Sequence, residues 1–220
     1  METDCWTIWR SAQSSLLLKS VEADFAVDSS GFTTCHFTRW FDHKYGIVKQ
    51  QHDWVKCHIM CGVKTNIVTA VEIHGRNASD SKMLPALVTT TAENFQIAEV
   101  SADKGYASRA NADAIAKLGA TPYISFASSH RGNGGGTWTK MYHYFQCRRN
   151  DSLQHYHKRS NVESTFSMMK RKFRDSLRSK TDVAIVNETL CKVLSHNLVV
   201  LIHEMHELGI DPVFWTEKAA

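Results

Sequence analysis

In DFAVDSSG, residues 24–31, a short apolar run gives way to an acid, two serines and a glycine. That is the pattern of a strand buried in the middle of a sheet. Its last apolar residue, Val27, is followed at once by Asp28, which is therefore expected at the strand's end. Working outward, Val55 to Cys61 alternates Val, Cys, Ile and Cys with Lys, His and Met, the signature of a half-buried strand. Ile67 to His74 reads as its hairpin partner across a turn at Gly62 to Asn66. Ser79 or Asp80 caps a helix through Leu84 and Leu87, with Pro85 expected in or near its first turn. Ile97 to Ala102 is a fourth strand, running into Asp103, Lys104, Gly105 and Tyr106. Ser108 caps a second helix that stops at Gly119, and Thr121 to Ser125 is a fifth strand. A hairpin feeding crossover helices and parallel strands implies an α/β fold, a mixed five-stranded sheet flanked by helices.

Beyond the fifth strand, SSHRGNGGGTWTK (Gly132, Gly134, Gly135, Gly136) reads as a flexible loop, because the GK[ST] that a phosphate loop requires does not follow it. Val183 to Leu208 is strongly apolar, but Asn187, Glu188, Lys192, His196 and Asn197 interrupt it short of a membrane span. It reads as a core helix begun by Asp182 and ended at Gly209. No membrane partner is expected. The start of the chain puts acids before Leu16, Leu17 and Leu18 and has no signal-peptide pattern. Six cysteines (Cys5, Cys35, Cys57, Cys61, Cys147, Cys191) form no CxxC pair, which points to reduced thiols. Cys57 and Cys61 read as small hydrophobes on one strand face. Neither they nor the pair His155 and His157 have the spacing of a zinc site.

The charge is uneven. The chain carries +4, yet Lys158 to Lys180 alone holds eight cations against two anions, a net of +6, so the rest carries −2. A basic strip on a slightly acidic body suits a polyanion, with nucleic acid the leading candidate and a solvated helix face the alternative. Within it lies YHKRSNVESTFSMMKRKF, residues 156–173, read as one helix. Tyr156, Arg159, Glu163 and Lys170 fall within an arc of roughly 60°. Val162, Phe166, Met169, Phe173 and Leu177 form the apolar stripe beside them. Asp28, Asp103 and Glu163 all stand at element boundaries. If the first and fourth strands are neighbours, both aspartates project at one sheet edge, where α/β sheets bind ligands, and Glu163 closes over them. Three carboxylates without a cation are costly together, and a hard divalent ion removes the conflict. Trp54, Lys56, Lys64 and Trp138 read first as packing residues.

These residues carry a resemblance. Tyr156, Arg159, Glu163 and Lys170 match the YREK signature of one large group of bacterial insertion-sequence transposases of the DDE class at every position and spacing. Asp103, Gly105 and Tyr106 match that group's D-x-G-Y turn, and AVDSSGF around Asp28 resembles its first-aspartate strand. The similarity runs from Asp24 to Gly209. It implies a ribonuclease H-like catalytic domain over residues 24–210, preceded by an extension, 1–23, and followed by a tail, 211–220. It implies that Asp28, Asp103 and Glu163 are catalytic and hold Mg²⁺ or Mn²⁺, two ions in all. Arg159, Lys170 and Tyr156 would contact double-stranded DNA, with Lys158, Arg171, Lys172 and Arg174 of the basic strip beside them. The implied activity is cleavage at transposon ends and transfer of the 3′-hydroxyl to target DNA, by a homodimer in the bacterial cytoplasm at the nucleoid. Only 27 residues precede Asp28, fewer than this group carries there. A truncated or repurposed DNA-binding protein without transposition activity is therefore the alternative, and an ordinary ribonuclease H-like nuclease a third reading that the YREK spacing disfavours.

Overall fold

The structure, a computed structural model, describes residues 21–34 and 54–207. Cys5, Cys35, Leu16 to Leu18, Gly209 and the tail at 211–220 lie outside the described residues. Among the described residues, five strands make one sheet in the order β3-β2-β1-β4-β5. They are β1 (Asp24–Thr33), β2 (Trp54–Gly62), β3 (Val68–Gly75), β4 (Glu99–Ala102) and β5 (Thr121–Ile124). The first three pair antiparallel, and β1, β4 and β5 pair parallel. This is the mixed sheet expected, with β1 at its centre. Six described helices cover it: α1 (Asp80–Ala92), α2 (Arg109–Lys117), α3 (Gly136–Cys147), α4 (Arg149–His157), α5 (Ser160–Phe173) and α6 (Asp182–Glu207).

Alternate residues of β1 serve opposite faces, because side chains alternate along a strand. Phe25 and Val27 join Met60, Leu84, Leu87 and Val100 in a core beneath α1 and α2. Ala26 and Phe32 join Ile59, Val162, Phe166 and Met169 in a second core beneath α5 and α6. Between Ala26 and Phe32 on that second face stand Asp28 and Ser30. Because both faces of the sheet are covered, β2 is not half-buried as its alternation implies. His58 and Met60, on its nominally polar side, have no exposed surface. Cys57 and Cys61 are free thiols in the second core, their pKa values pushed up to about 12 by burial, in keeping with their reading as hydrophobes.

The β2–β3 turn is tied down by Glu22, which is 1% exposed and accepts hydrogen bonds from the backbone N–H and hydroxyl of Thr65 at 2.6 and 2.7 Å. Glycine is needed at position 62, where a Cβ would stand 2.5 Å from the Glu22 carboxyl carbon. Pro85 lies inside α1, past its first turn. Its missing N–H leaves the Ser81 carbonyl unpaired within the helix. Asn111 of α2 donates its side-chain N–H to that carbonyl at 2.9 Å. The proline is accommodated because a neighbouring helix replaces the lost bond. Ser108 caps α2 as expected, accepting from the Asn111 N–H at 3.1 Å. Ser79 stands at the start of α1 without a side-chain cap bond.

Two further elements differ from the expectation. Residues 156–173 are not one helix: α4 ends at His157, Lys158 and Arg159 form a turn, and α5 starts at Ser160. The break is mild, since Arg159 keeps helical dihedrals and the turn closes with tight i→i+3 bonds, Arg159 N–H to Tyr156 O at 3.0 Å and Val162 N–H to Arg159 O at 3.0 Å. Leu177 is buried, but lies beyond the end of α5, where Arg174 turns the chain with φ 67°. The glycine-rich segment is a pinned loop. Trp138, buried in α3, donates its indole N–H to Arg131 O at 2.8 Å, and Gly134 to Gly136 all have positive φ. Trp138 thus packs, as its sequence reading favours.

Helix α6 is long and apolar enough to cross a membrane by length and composition. The polar residues that interrupt it are its docking points. Lys192 donates to the carbonyls of Phe173, Arg174 and Ser176, and Glu188 accepts the N–H groups of Arg178 and Ser179. Asn197 bonds the N–H and the carbonyl of Val68. This helix therefore fixes the chain that follows α5.

Candidate active site

Pairing in the sheet brings the two aspartates side by side. The β1–β4 ladder ends at Val27 opposite Ala102, so Asp28 and Asp103 are each the next residue beyond it. Asp28 is not at the end of its strand, because β2 continues to pair with β1 as far as Thr33. It stands where the parallel neighbour stops, which opens space above it.

Helix α5 brings Glu163 to this edge, held down by Val162, Phe166 and Met169. Arg159, at the turn between α4 and α5, bridges the acids. One guanidinium nitrogen is 2.9 Å from Asp28 Oδ2 and the other 2.7 Å from Glu163 Oε1. The Tyr156 hydroxyl donates to Asp103 Oδ1 at 3.3 Å, and the Arg159 guanidinium lies 5.7 Å from the Tyr156 ring centroid. All four motif residues reach the same region. Lys170, two turns further on, donates to Ser30 Oγ at 2.7 Å and stands 5.4 Å from the Phe32 ring. A cleft of about 500 Å³ runs between β1 and α5, lined by Asp28, Ser30, Glu163, Lys170, Arg171 and Asp175 among others. Asp103 is not among its lining residues and is held by Tyr156.

Asp28 feels the charge of each of the other two acids. Burial raises the pKa of Asp28, and the charges of Asp103 and Glu163 raise it further, while the Ser29 N–H (2.8 Å) and Arg159 pull it down. Burial works against the Arg159 charge, but Tyr156, Asp28, Glu163 and Asp103 together hold its pKa above the usual arginine value. Among the described residues, no three His, Cys, Asp or Glu side chains form a group that could hold a metal ion as they stand. Arg159 is the cation paired with Asp28 and Glu163, and Asp103 is held by the Tyr156 hydroxyl.

Of the basic strip, Arg171 lines the cleft; Lys172 and Arg174 are exposed but are not among its lining residues, and the charge of Lys172 is felt by His196 of α6. Lys158 is not brought to the cleft. It pairs with Asp24 at 2.7 Å and Glu99 at 2.8 Å, at the starts of β1 and β4, because the turn before α5 points it down the sheet. Lys56 and Lys64 are also engaged elsewhere, with Asp80 and with the Val21 carbonyl. The sequence reading missed Ser30 and Asp175 as lining residues. A signal for Ser30 was present, since alternation puts it on the face of Asp28. Asp175 had none, because it reaches the cleft only through the turn after α5.

A search of curated proteins finds no match. The family described as "Transposase DDE domain" matches residues 19–198, more than half of the chain. With the sheet order above, the fold is an α/β fold of the ribonuclease H-like type. From strand β1 through most of α6, the chain belongs to the transposase DDE domain family.

Proposed function

We infer that this domain cleaves phosphodiester bonds at the ends of a mobile DNA element and joins the freed 3′-hydroxyl to target DNA, in the manner of the YREK group. The observation that supports this reading most is the juxtaposition of Asp28 and Asp103 at the end of one parallel ladder, with Glu163 joined to Asp28 through Arg159. Transposases act on double-stranded DNA, and the cations Lys170 and Arg171 in the cleft, with Lys172 and Arg174 further along the basic strip, supply a phosphate-binding margin.

Asp28, Asp103 and Glu163 fit a hard divalent ion by donor chemistry: all offer carboxylate oxygens, and their mutual repulsion is felt at Asp28. When bound, Mg²⁺ or Mn²⁺ supplies Lewis-acid activation of the attacking oxygen and charge stabilisation of the leaving one. Arg159 pairs with two of these acids, Asp28 and Glu163. Released from them, its planar fork suits a phosphate in two-point contact. Tyr156 holds Asp103 and flanks the guanidinium, so it orients both partners of that exchange. Lys170, fixed against Ser30 and Phe32, presents a charge at a set distance along the same strand.

The test is to incubate the chain with Mn²⁺ and duplex DNA carrying its element's ends, beside Glu163→Gln. Nicking and strand joining by the wild type, lost in Glu163→Gln with DNA affinity retained, is the expected result. DNA binding by a wild type that never nicks overturns this reading and restores the repurposed DNA-binding protein.

A further inference from the structure

The face of β1 opposite the cleft carries a polar cluster that the reading above does not use. Ser29, the residue after Asp28, points to this face and donates its hydroxyl to Asp80 Oδ1 at 3.1 Å. Asp80, in the first turn of α1, also pairs with Lys56 Nζ at 2.5 Å and lies 3.4 Å from His58 Nδ1. The same His58 nitrogen is 3.2 Å from the Tyr106 hydroxyl. Tyr106 is 1% exposed and closes the turn that begins at Asp103, its N–H bonded to Asp103 O at 2.9 Å. A Cβ on Gly105, inside that turn, would touch Asp80 Oδ2 at 3.4 Å. Asn111 completes the knot by donating to Tyr106 O at 2.7 Å and to Ser81 O at 2.9 Å.

An acid in the first turn of a helix needs only the helix dipole to explain it. That account leaves unexplained why Ser29, Lys56, His58 and the turn at Gly105 all converge on this one. We propose that Asp80 is a positioning residue for the reaction: from behind the sheet its carboxylate ties Ser29 to the Asp103–Tyr106 turn, and so sets how Asp28 and Asp103 stand relative to each other. The proposal rests on the reading that these two aspartates hold the ions. Outer partners of metal-binding carboxylates act in this way, by restricting the ligand's orientation before the ion arrives. Burial holds the pKa of His58 down to about 4, so its ring is neutral at neutral pH and leaves Lys56 as the charge that balances Asp80.

The test compares Asp80→Ala, Ser29→Ala and Asp28→Asn in the full chain by Mn²⁺ titration calorimetry, nicking of supercoiled plasmid in Mn²⁺, and thermal midpoint. Asp80→Ala is expected to weaken Mn²⁺ binding and slow nicking by about 10-fold each, the scale for losing an outer partner of a metal ligand. Ser29→Ala moves both in the same direction with its midpoint unchanged, a response that a merely structural role would not give. Should Asp80→Ala fail to fold, Ser29→Ala decides alone. Wild-type Mn²⁺ affinity in Ser29→Ala and in any folded Asp80→Ala, beside its loss in Asp28→Asn, overturns the role of Asp80 and leaves the site standing. Undiminished Mn²⁺ binding in Asp28→Asn, or none in the wild type, overturns the site itself and the proposal with it.

Discussion

Asp28 and Ser29 are neighbours in sequence, but they belong to opposite environments. On the α5 side of the sheet, Asp28 shares a wide cleft with Glu163, 56% exposed, and cations that one ligand can redirect. On the α1 side, Ser29 enters a closed network in which His58 has no exposed surface and its Nε2 has no hydrogen-bond partner among the described residues. The front is built to exchange partners and the back to keep them. Fixed polar groups behind a site and adaptable ones in front make a geometry that survives substrate binding.

The largest effect is expected at the front. Asp28→Asn should reduce nicking by at least about 10²-fold, the scale of losing one preorganised charge at a reacting centre. The same change should raise stability. Burial, with Asp103 and Glu163, holds the Asp28 pKa above its unfolded value, so the native state retains this proton more readily than the unfolded chain. The stability contributed by the protonated form is present at low pH and is lost as pH rises through the folded pKa. Thermal midpoints of wild type and Asp28→Asn should therefore coincide at low pH and diverge above that range, with the variant higher. A variant that melts lower at neutral pH would show that the Arg159 pair outweighs burial.

Next in size is Met169→Ala, beneath α5, where a fully buried side chain leaves a cavity costing about 2–5 kcal/mol in denaturant unfolding. Because that packing seats Glu163, nicking should fall with it. Lys192→Met should cost about 1–3 kcal/mol, since three carbonyls at and just past the end of α5 lose their donor. The smallest effects sharpen the contrast between cations of the basic strip. Arg171→Ala, exposed and lining the cleft, should lower the salt slope of DNA binding by about 1 and leave stability within about 0.5 kcal/mol. Lys158→Ala should leave the salt slope unchanged, because its charge is already spent on Asp24 and Glu99. An equal change in slope for both would put Lys158 at the DNA.

Much of this molecule is legible along the chain. The strand pattern around Val27, the hairpin across Gly62 to Asn66, the cap at Ser108 and the interrupted apolar helix after Asp182 are local signals, and each corresponds to an observed element. The spacing of Tyr156, Arg159, Glu163 and Lys170 marks the site even though the helix assumed for it is broken, because the tight turn at Lys158 and Arg159 keeps helical dihedrals. Local periodicity does not reveal which side of β2 is covered, since α1 packs on its polar side from more than twenty residues away. It does not separate Lys158 from Arg171 either, for that depends on which way a turn points a flexible side chain. The sequence by itself determined the element order, the residue types at the sheet edge and their spacing, because these follow from backbone propensity and side-chain alternation. Only the tertiary structure decided that Arg159 pairs with Asp28, that Lys158 is spent elsewhere and that Asp80 stands behind Asp28, because each depends on distances between elements remote in the chain.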